Sequence, residues 1–164
     1  MNEGNIVKVG MADIGVAAGG AVLKTTGLGS CVGLTLFDPE RLVAGMAHIM
    51  LPNSDIAREG QINIAKYADT SIPELLARMQ RLGADRRRIV AKLAGGAQMF
   101  AFAGGSDSLR IGPRNVESTK HELGRLAIPV AAEDTGGNYG RTIELDSASG
   151  ILTIRSVQFG IKEI

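Results

Sequence analysis

The chain holds one cysteine, Cys31, in 164 residues. That excludes an internal disulfide, and its spacing from the two histidines matches no zinc site. An excess of charge of one sign is also lacking: 18 Lys and Arg face 17 Asp and Glu, for a net charge of +1. The two signs are mixed along the chain, which argues against a nucleic-acid or anionic-membrane footprint. The one basic cluster, "RRR" at 86–88, lies between a helical and a strand-like segment and reads as a solvated face. No apolar run approaches the ~18–20 residues of a membrane span. The opening "MNEGNIVKVG" lacks the basic and apolar regions of a signal peptide. A cytoplasmic protein is the expectation.

What is present is glycine, 22 residues, together with 45% apolar side chains. The length suits one domain, 1–164. The stretches "NIVKVGMADIGVA" and "GAVLKTTGLG" read as strands, and "CVGLTLF" and "RLVAGMAHIM" as two more around the turn "DPER". Apolar residues fall on both faces of that last pair, so it should be covered above and below. A helical pattern follows, with Ser71 as N-cap, Pro73 near the first turn, a stripe of Leu75, Leu76, Met79 and Leu82, and a stop at Gly83. "RIVAKLAGGA" reads as a strand and glycine loop. "RNVESTKHELGRLAI" reads as a second helix with Val116, Leu123 and Leu126 inward. The remainder closes with strands. The pattern is that of a mixed α+β domain with a mostly antiparallel sheet and two main helices.

If the turn is symmetric about Pro39–Glu40, antiparallel partners have numbers summing to 79, and Cys31 then lies directly opposite His48. A thiol becomes a useful nucleophile when an imidazole takes its proton, and the imidazolium can later protonate a leaving amine or ammonia. Upstream, "TTGLGS" offers hydroxyls to orient the imidazole, Gly29 offers close backbone approach, and the Cys31 N–H offers an oxyanion donor. The alternative is a small core cysteine and a satisfied core histidine. The glycines of "GLGSCVG" miss a dinucleotide fingerprint because Val32 occupies the third position. "DTGGNYGR" is a tight turn or a loop lining substrate near the cysteine. His121 reads as solvated, and Asn115 and Glu117 as capping or dipole residues.

The blocks "LGSCVGLTLFD", "GMAHIMLP", "KYADTSIPELL", "KLAGGAQMF", "IGPRNV" and "EDTGGNYGRTIELDSASG" resemble, in order, the chemoreceptor glutamine deamidase family, CheD. The resemblance implies a three-layer α/β sandwich with a papain-like Cys-His-Thr site similar to that of deamidase toxins. By position, it places the nucleophile at Cys31, the base at His48 and the orienting hydroxyl at Thr25, with Thr26 as the alternative. Gly29 and Ser30 fall where substrate or oxyanion would be held. It implies hydrolysis of glutamine carboxamides on chemotaxis receptors, without cofactor or metal. It also implies a regulatory partner, the phosphatase CheC, for which Phe100 and Phe102 in "MFAFAGGSDSL" are candidate contacts, with core packing as the alternative for both. Two other classes compete: a non-catalytic module docking on receptors or on CheC, and a protease or transglutaminase-like acyl transferase using the same thiol.

Overall fold

Two seven-residue strands, β4 (Val32–Asp38) and β5 (Val43–Ile49), are buried on both faces, as their two-sided apolar pattern requires. The computed structural model describes residues 5–57, 62–99 and 110–164. Alternate side chains of β4 and β5 enter different cores. Val32, Leu34, Leu36, Val43, Ala47 and Ile49 pack with the helices α1 (Ala68–Arg81) and α2 (Ile111–Arg125). Cys31, Phe37, Ala44 and Met46 pack with the opposing sheet. This period of two is what puts one pair of strands at the centre of both cores.

Around them run β1 (Ile6–Lys8), β2 (Ile14–Ala18), β3 (Val22–Leu28), β6 (Val90–Gly95), β7 (Val130–Thr135), β8 (Arg141–Asp146), β9 (Leu152–Ser156) and β10 (Gly160–Glu163). One sheet has the order β1-β3-β8-β9-β10 and the other β2-β5-β4-β6-β7. Every pairing between these strands is antiparallel except β1 with β3 and β6 with β7. The mostly antiparallel pairing expected from the sequence is thus spread over two sheets, each carrying one parallel pair. Their inner faces meet, and the two helices cover the far side of the second. The stretch "NIVKVGMADIGVA" divides between the sheets. Its break falls where Ala12 takes a positive φ of 52° and Asp13 accepts hydrogen bonds from the N–H of Gly10 and Ile14.

The turn between β4 and β5 corrects the expected register. Asp38 pairs with Val43, so the loop holds four residues, and Leu42, at φ 54°, donates its N–H to the Asp38 carbonyl. The Asp38 carboxylate accepts from the N–H of Glu40, Arg41 and Asp85 and from the Arg88 guanidinium. Burial alone would raise the Asp38 pKa; the Arg88 bond and these N–H donors outweigh it and hold the value at about 2. Within the "RRR" cluster, then, Arg88 locks this turn by an ion pair of 3.0 Å to a fully buried carboxylate, while Arg87 projects into solvent.

Helix α1 begins at Ala68, earlier than expected. Asn63 caps a 3-10 turn, Ile64–Lys66, that leads into it, and Tyr67 stands at the N-cap. Ser71 is therefore a buried residue inside the helix, Pro73 lies in its interior, Ile72 joins the inward stripe, and Leu82 is the half-exposed C-cap. Gly83, at φ 97°, ends it as expected, with Ala84 N–H bonded to Met79 O and Gly83 N–H to Gln80 O. Helix α2 starts three residues before "RNV", with Leu123 buried and Val116 and Leu126 packed on the same core. Phe100 and Phe102 lie outside the described residues. No helix among the described residues is long and apolar enough to cross a membrane.

Candidate active site

The observed register pairs His48 with Gly33. Cys31, two residues before Gly33, keeps the same face, which makes it a diagonal neighbour of His48 across the strands, with Cα atoms ~7–8 Å apart. The direct opposition expected from the sequence is thus replaced by a diagonal one. Both side chains belong to the layer between the two sheets, where His48 is fully buried and Cys31 is 8% exposed. A side chain at Gly33 would collide there: a Cβ would stand 2.5 Å from Ile143 Cδ1 and 2.9 Å from Leu28 Cδ1. Glycine opposite His48 is what lets the two sheets close over the imidazole.

Thr25 fixes the ring. Its hydroxyl donates to the Val9 carbonyl at 2.7 Å and lies 2.7 Å from His48 Nδ1. A hydroxyl has one hydrogen, so with that hydrogen on Val9 it accepts from Nδ1–H. The tautomer follows: Nδ1 carries the proton, and Nε2 presents a lone pair. Nε2 is buried and has no hydrogen-bond partner among the described residues. Thr26, the other candidate hydroxyl, is exposed. Replacing Thr25 by valine should keep its shape while leaving Nδ1–H without an acceptor. If the site performs the amide hydrolysis that the sequence resemblance implies, kcat for ammonia release should fall about 10²-fold with little change in KM, and serine at the same position should restore most of it.

Burial pushes the Cys31 thiol up from its usual 9.0 and the His48 imidazole down from 6.5. Both groups are consequently neutral near pH 7, a thiol facing an imidazole rather than a preformed ion pair. Such a base is competent above its own pKa and is lost as pH falls through it.

The loop before Cys31 is tied down by its carbonyls. Gly29 O accepts from Ala97 N–H at 2.9 Å, Cys31 O accepts from Gly96 N–H at 2.9 Å, and Ser30 O accepts from Asn115 Nδ2 at 2.9 Å. The same Asn115 Nδ2 donates to Met50 O at 3.0 Å. One amide in α2 therefore clamps the residue before the cysteine to the residue two beyond the histidine. Both partners are carbonyl oxygens, so the amide orientation is fixed. The sequence reading gave Asn115 a capping role; it is instead fully buried. The missed signal is a polar residue on the inward face of an amphipathic helix, in line with Gly112 and Thr119. Asn115→Ala should cost about 2–4 kcal/mol by leaving two carbonyls unpaired. Asn115→Asp should be worse, because a carboxylate would then face the same two carbonyls; urea unfolding of the two variants checks the order.

The segment "DTGGNYGR" makes its turn between β7 and β8, with Gly136 and Gly137 at φ 87° and 73°. It also lies beside the cysteine loop's support. Gly136 N–H donates to Gly95 O, and Gln98 N–H donates to Gly137 O. Gly29 faces Met99, 3.2 Å from where its Cβ would stand. His121 is exposed. Among the described residues no group of three or more His, Cys, Asp or Glu is placed to hold a metal ion.

Residues 50–156 match the family model described as CheD chemotactic sensory transduction. Over its whole length, and the whole of the relative, the chain is 52% identical to the chemoreceptor glutamine deamidase CheD of Halalkalibacterium halodurans. It is 54% identical to the probable chemoreceptor glutamine deamidase CheD of Lachnoclostridium phytofermentans over 94% of this chain and 95% of that one. The Bacillus subtilis chemoreceptor glutamine deamidase CheD is 44% identical over 99% of this chain and 98% of its own. A site of thiol, imidazole and hydroxyl between two sheets thus sits in a chain that matches these relatives from end to end: the chain belongs to the CheD family.

Proposed function

We propose that this chain is a chemoreceptor glutamine deamidase that converts glutamine side chains of methyl-accepting receptors to glutamate through a Cys31 thioester. Membership of a family whose relatives carry that name supports the substrate. The observation that carries the chemistry is His48, held by Thr25 with Nδ1 protonated and a bare Nε2 on the face it shares with Cys31.

In the proposed cycle, His48 Nε2 takes the Cys31 proton as sulfur attacks the carboxamide carbon, forming the C–S bond and an oxyanion. The Cys31 N–H is the proposed oxyanion donor, with Gly29 and Ser30 leaving the backbone open to substrate; the fixed carbonyls of these residues hold that loop in one conformation. The imidazolium then gives its proton to nitrogen as the C–N bond breaks and ammonia leaves. Water, deprotonated by Nε2, attacks the thioester, releasing glutamate and the thiol. The glutamines lie, on this reading, in the cytoplasmic helical region of the receptor. CheC is proposed as a second partner.

The neutral pair sets the pH dependence. Because burial lowers His48 and raises Cys31, kcat/KM should rise along one acid limb with an apparent pKa below 6.5 and stay level beyond neutrality. A preformed thiolate–imidazolium pair would instead lose activity as the imidazolium deprotonates. The test of function is incubation with a purified receptor cytoplasmic fragment from the same organism. Ammonia released in step with new glutamates supports the enzyme. A fragment bound but chemically unchanged favours the docking module.

A further inference from the structure

The oxyanion donor proposed above is one half of a rigid unit. The Ser30 carbonyl and the Cys31 N–H belong to the same trans peptide, so their bonds point in opposite directions and turn together. Whatever holds the carbonyl therefore aims the N–H. The holder is Asn115, fully buried in α2, whose Nδ2 donates to Ser30 O at 2.9 Å. The same Nδ2 donates to Met50 O at 3.0 Å, two residues past His48. The acceptor of this amide, Oδ1, is buried without a hydrogen-bond partner among the described residues. An orphaned buried acceptor is costly, so packing alone gives no reason for an amide here. What the side chain contributes is its two donors.

The Cys31 N–H itself is left idle by the strand beside it. The register of β4 with β6 sets Val32 opposite Gly95, and its continuation would set Gly96 opposite Cys31. In a hydrogen-bonded antiparallel pair the two residues exchange two bonds. Only one forms here, from Gly96 N–H to Cys31 O at 2.9 Å. Gly95 and Gly96, at φ 104° and 64°, turn the chain aside, and no carbonyl comes back to Cys31. Glycine is required at the first of these positions, because a Cβ on Gly95 would collide with Cys31 O. The Cys31 N–H is thus left without a backbone partner among the described residues.

We propose that Asn115 is a positioning residue for deamidation: by holding the Ser30 carbonyl, it aims the Cys31 N–H at the oxyanion formed when the thiol attacks. This rests on the deamidase reading and adds to it the group that orients the oxyanion donor. Donation into the carbonyl also polarises the peptide and strengthens its N–H as a donor. The bond to Met50 O ties this peptide to the end of the strand that carries His48, so base and oxyanion donor share one frame. Without the amide, rotation about the bonds on either side of the peptide would swing the N–H off line. The imidazole would keep its place, because Thr25 holds it from the other sheet.

The test compares wild type with Asn115→Ala in the full-length chain, on a purified receptor cytoplasmic fragment from the same organism. The kcat should fall about 30-fold, less than the ~10²–10³ of deleting an oxyanion donor outright, because the N–H remains but is no longer aimed. KM should stay within about twofold, and the acid limb of the pH profile should not move. Alkylation of Cys31 by iodoacetamide forms an S–C bond with loss of iodide and develops no oxyanion. Its rate should therefore stay within about twofold of wild type, whereas a loss of packing around the thiol would slow it along with kcat. Asn115→Ser keeps one hydroxyl donor and should lose less activity in the same pattern; it decides the matter if Asn115→Ala does not fold. An unchanged kcat, or kcat and alkylation falling by the same factor, would overturn the positioning role. A wild type that binds the fragment and converts no glutamine would overturn the deamidase reading itself, and this role with it.

Discussion

Cys31→Ala should lower glutamine conversion by about 10⁴-fold or more while leaving binding of the receptor fragment unchanged. The magnitude follows from the site's composition. The chain has no second cysteine to take over the attack, and in the proposed cycle the thiol is the atom that bonds to substrate. Alanine fits the position because Cys31 sits in an apolar layer with Ala44, Met46 and Ala94, so the variant should unfold near the wild-type midpoint. Retained binding with lost conversion separates chemistry from docking. It would assign the second to surfaces other than the thiol.

His48→Ala should cost about 10³-fold, near the upper part of the range for a positioned general base. Two deficits combine: no base takes the thiol proton, and no acid protonates departing ammonia. The effect on stability should be out of proportion to the effect on rate. The imidazole leaves behind a cavity, but its removal also withdraws a buried Nε2 that has no partner among the described residues. Exogenous imidazole in the cavity should recover part of the activity in the variant and none in Cys31→Ala. That contrast tests His48 as a base rather than as packing.

The strands around the site were largely legible in sequence because β4 and β5 carry apolar residues on both faces, and only a strand covered twice does so. Their register was not. The turn has four residues instead of two because Leu42 adopts a positive φ and Asp38 gathers three N–H groups and Arg88, none of which a Pro-Glu pair announces. The resulting shift changes every cross-strand partner by two residues, so the partner of His48 changes from Cys31 to Gly33. The sum of partner numbers changes by an even step, and the face on which Cys31 and His48 lie is preserved. That parity is why an inexact register still brought Cys31 and His48 to one face.

Other parts of the site depend on contacts between distant segments. Thr25 and Thr26 are equivalent as sequence; the β3–β8 pairing buries one and exposes the other. Asn115 is 84 residues from Cys31 in sequence, and its clamp on Ser30 and Met50 exists only once α2 packs over β4 and β5. The start of α1 was misplaced because Ser71 and Pro73 are good local signals for a helix start. They were overridden by Ala68 N–H bonding to Leu51 O and by the Asn63-capped turn ahead of it. Local chemistry predicts ends poorly where tertiary hydrogen bonds supply the cap.

The most direct measurement is an acid quench of the full-length chain during turnover of the receptor fragment, followed by intact-mass and peptide mapping. The thioester mechanism predicts a transient adduct on Cys31 whose mass is that of the fragment less one ammonia, which decays as glutamate appears and never forms in Cys31→Ala. Glutamine conversion that proceeds at the wild-type rate in Cys31→Ala, with no adduct at any time, would contradict it.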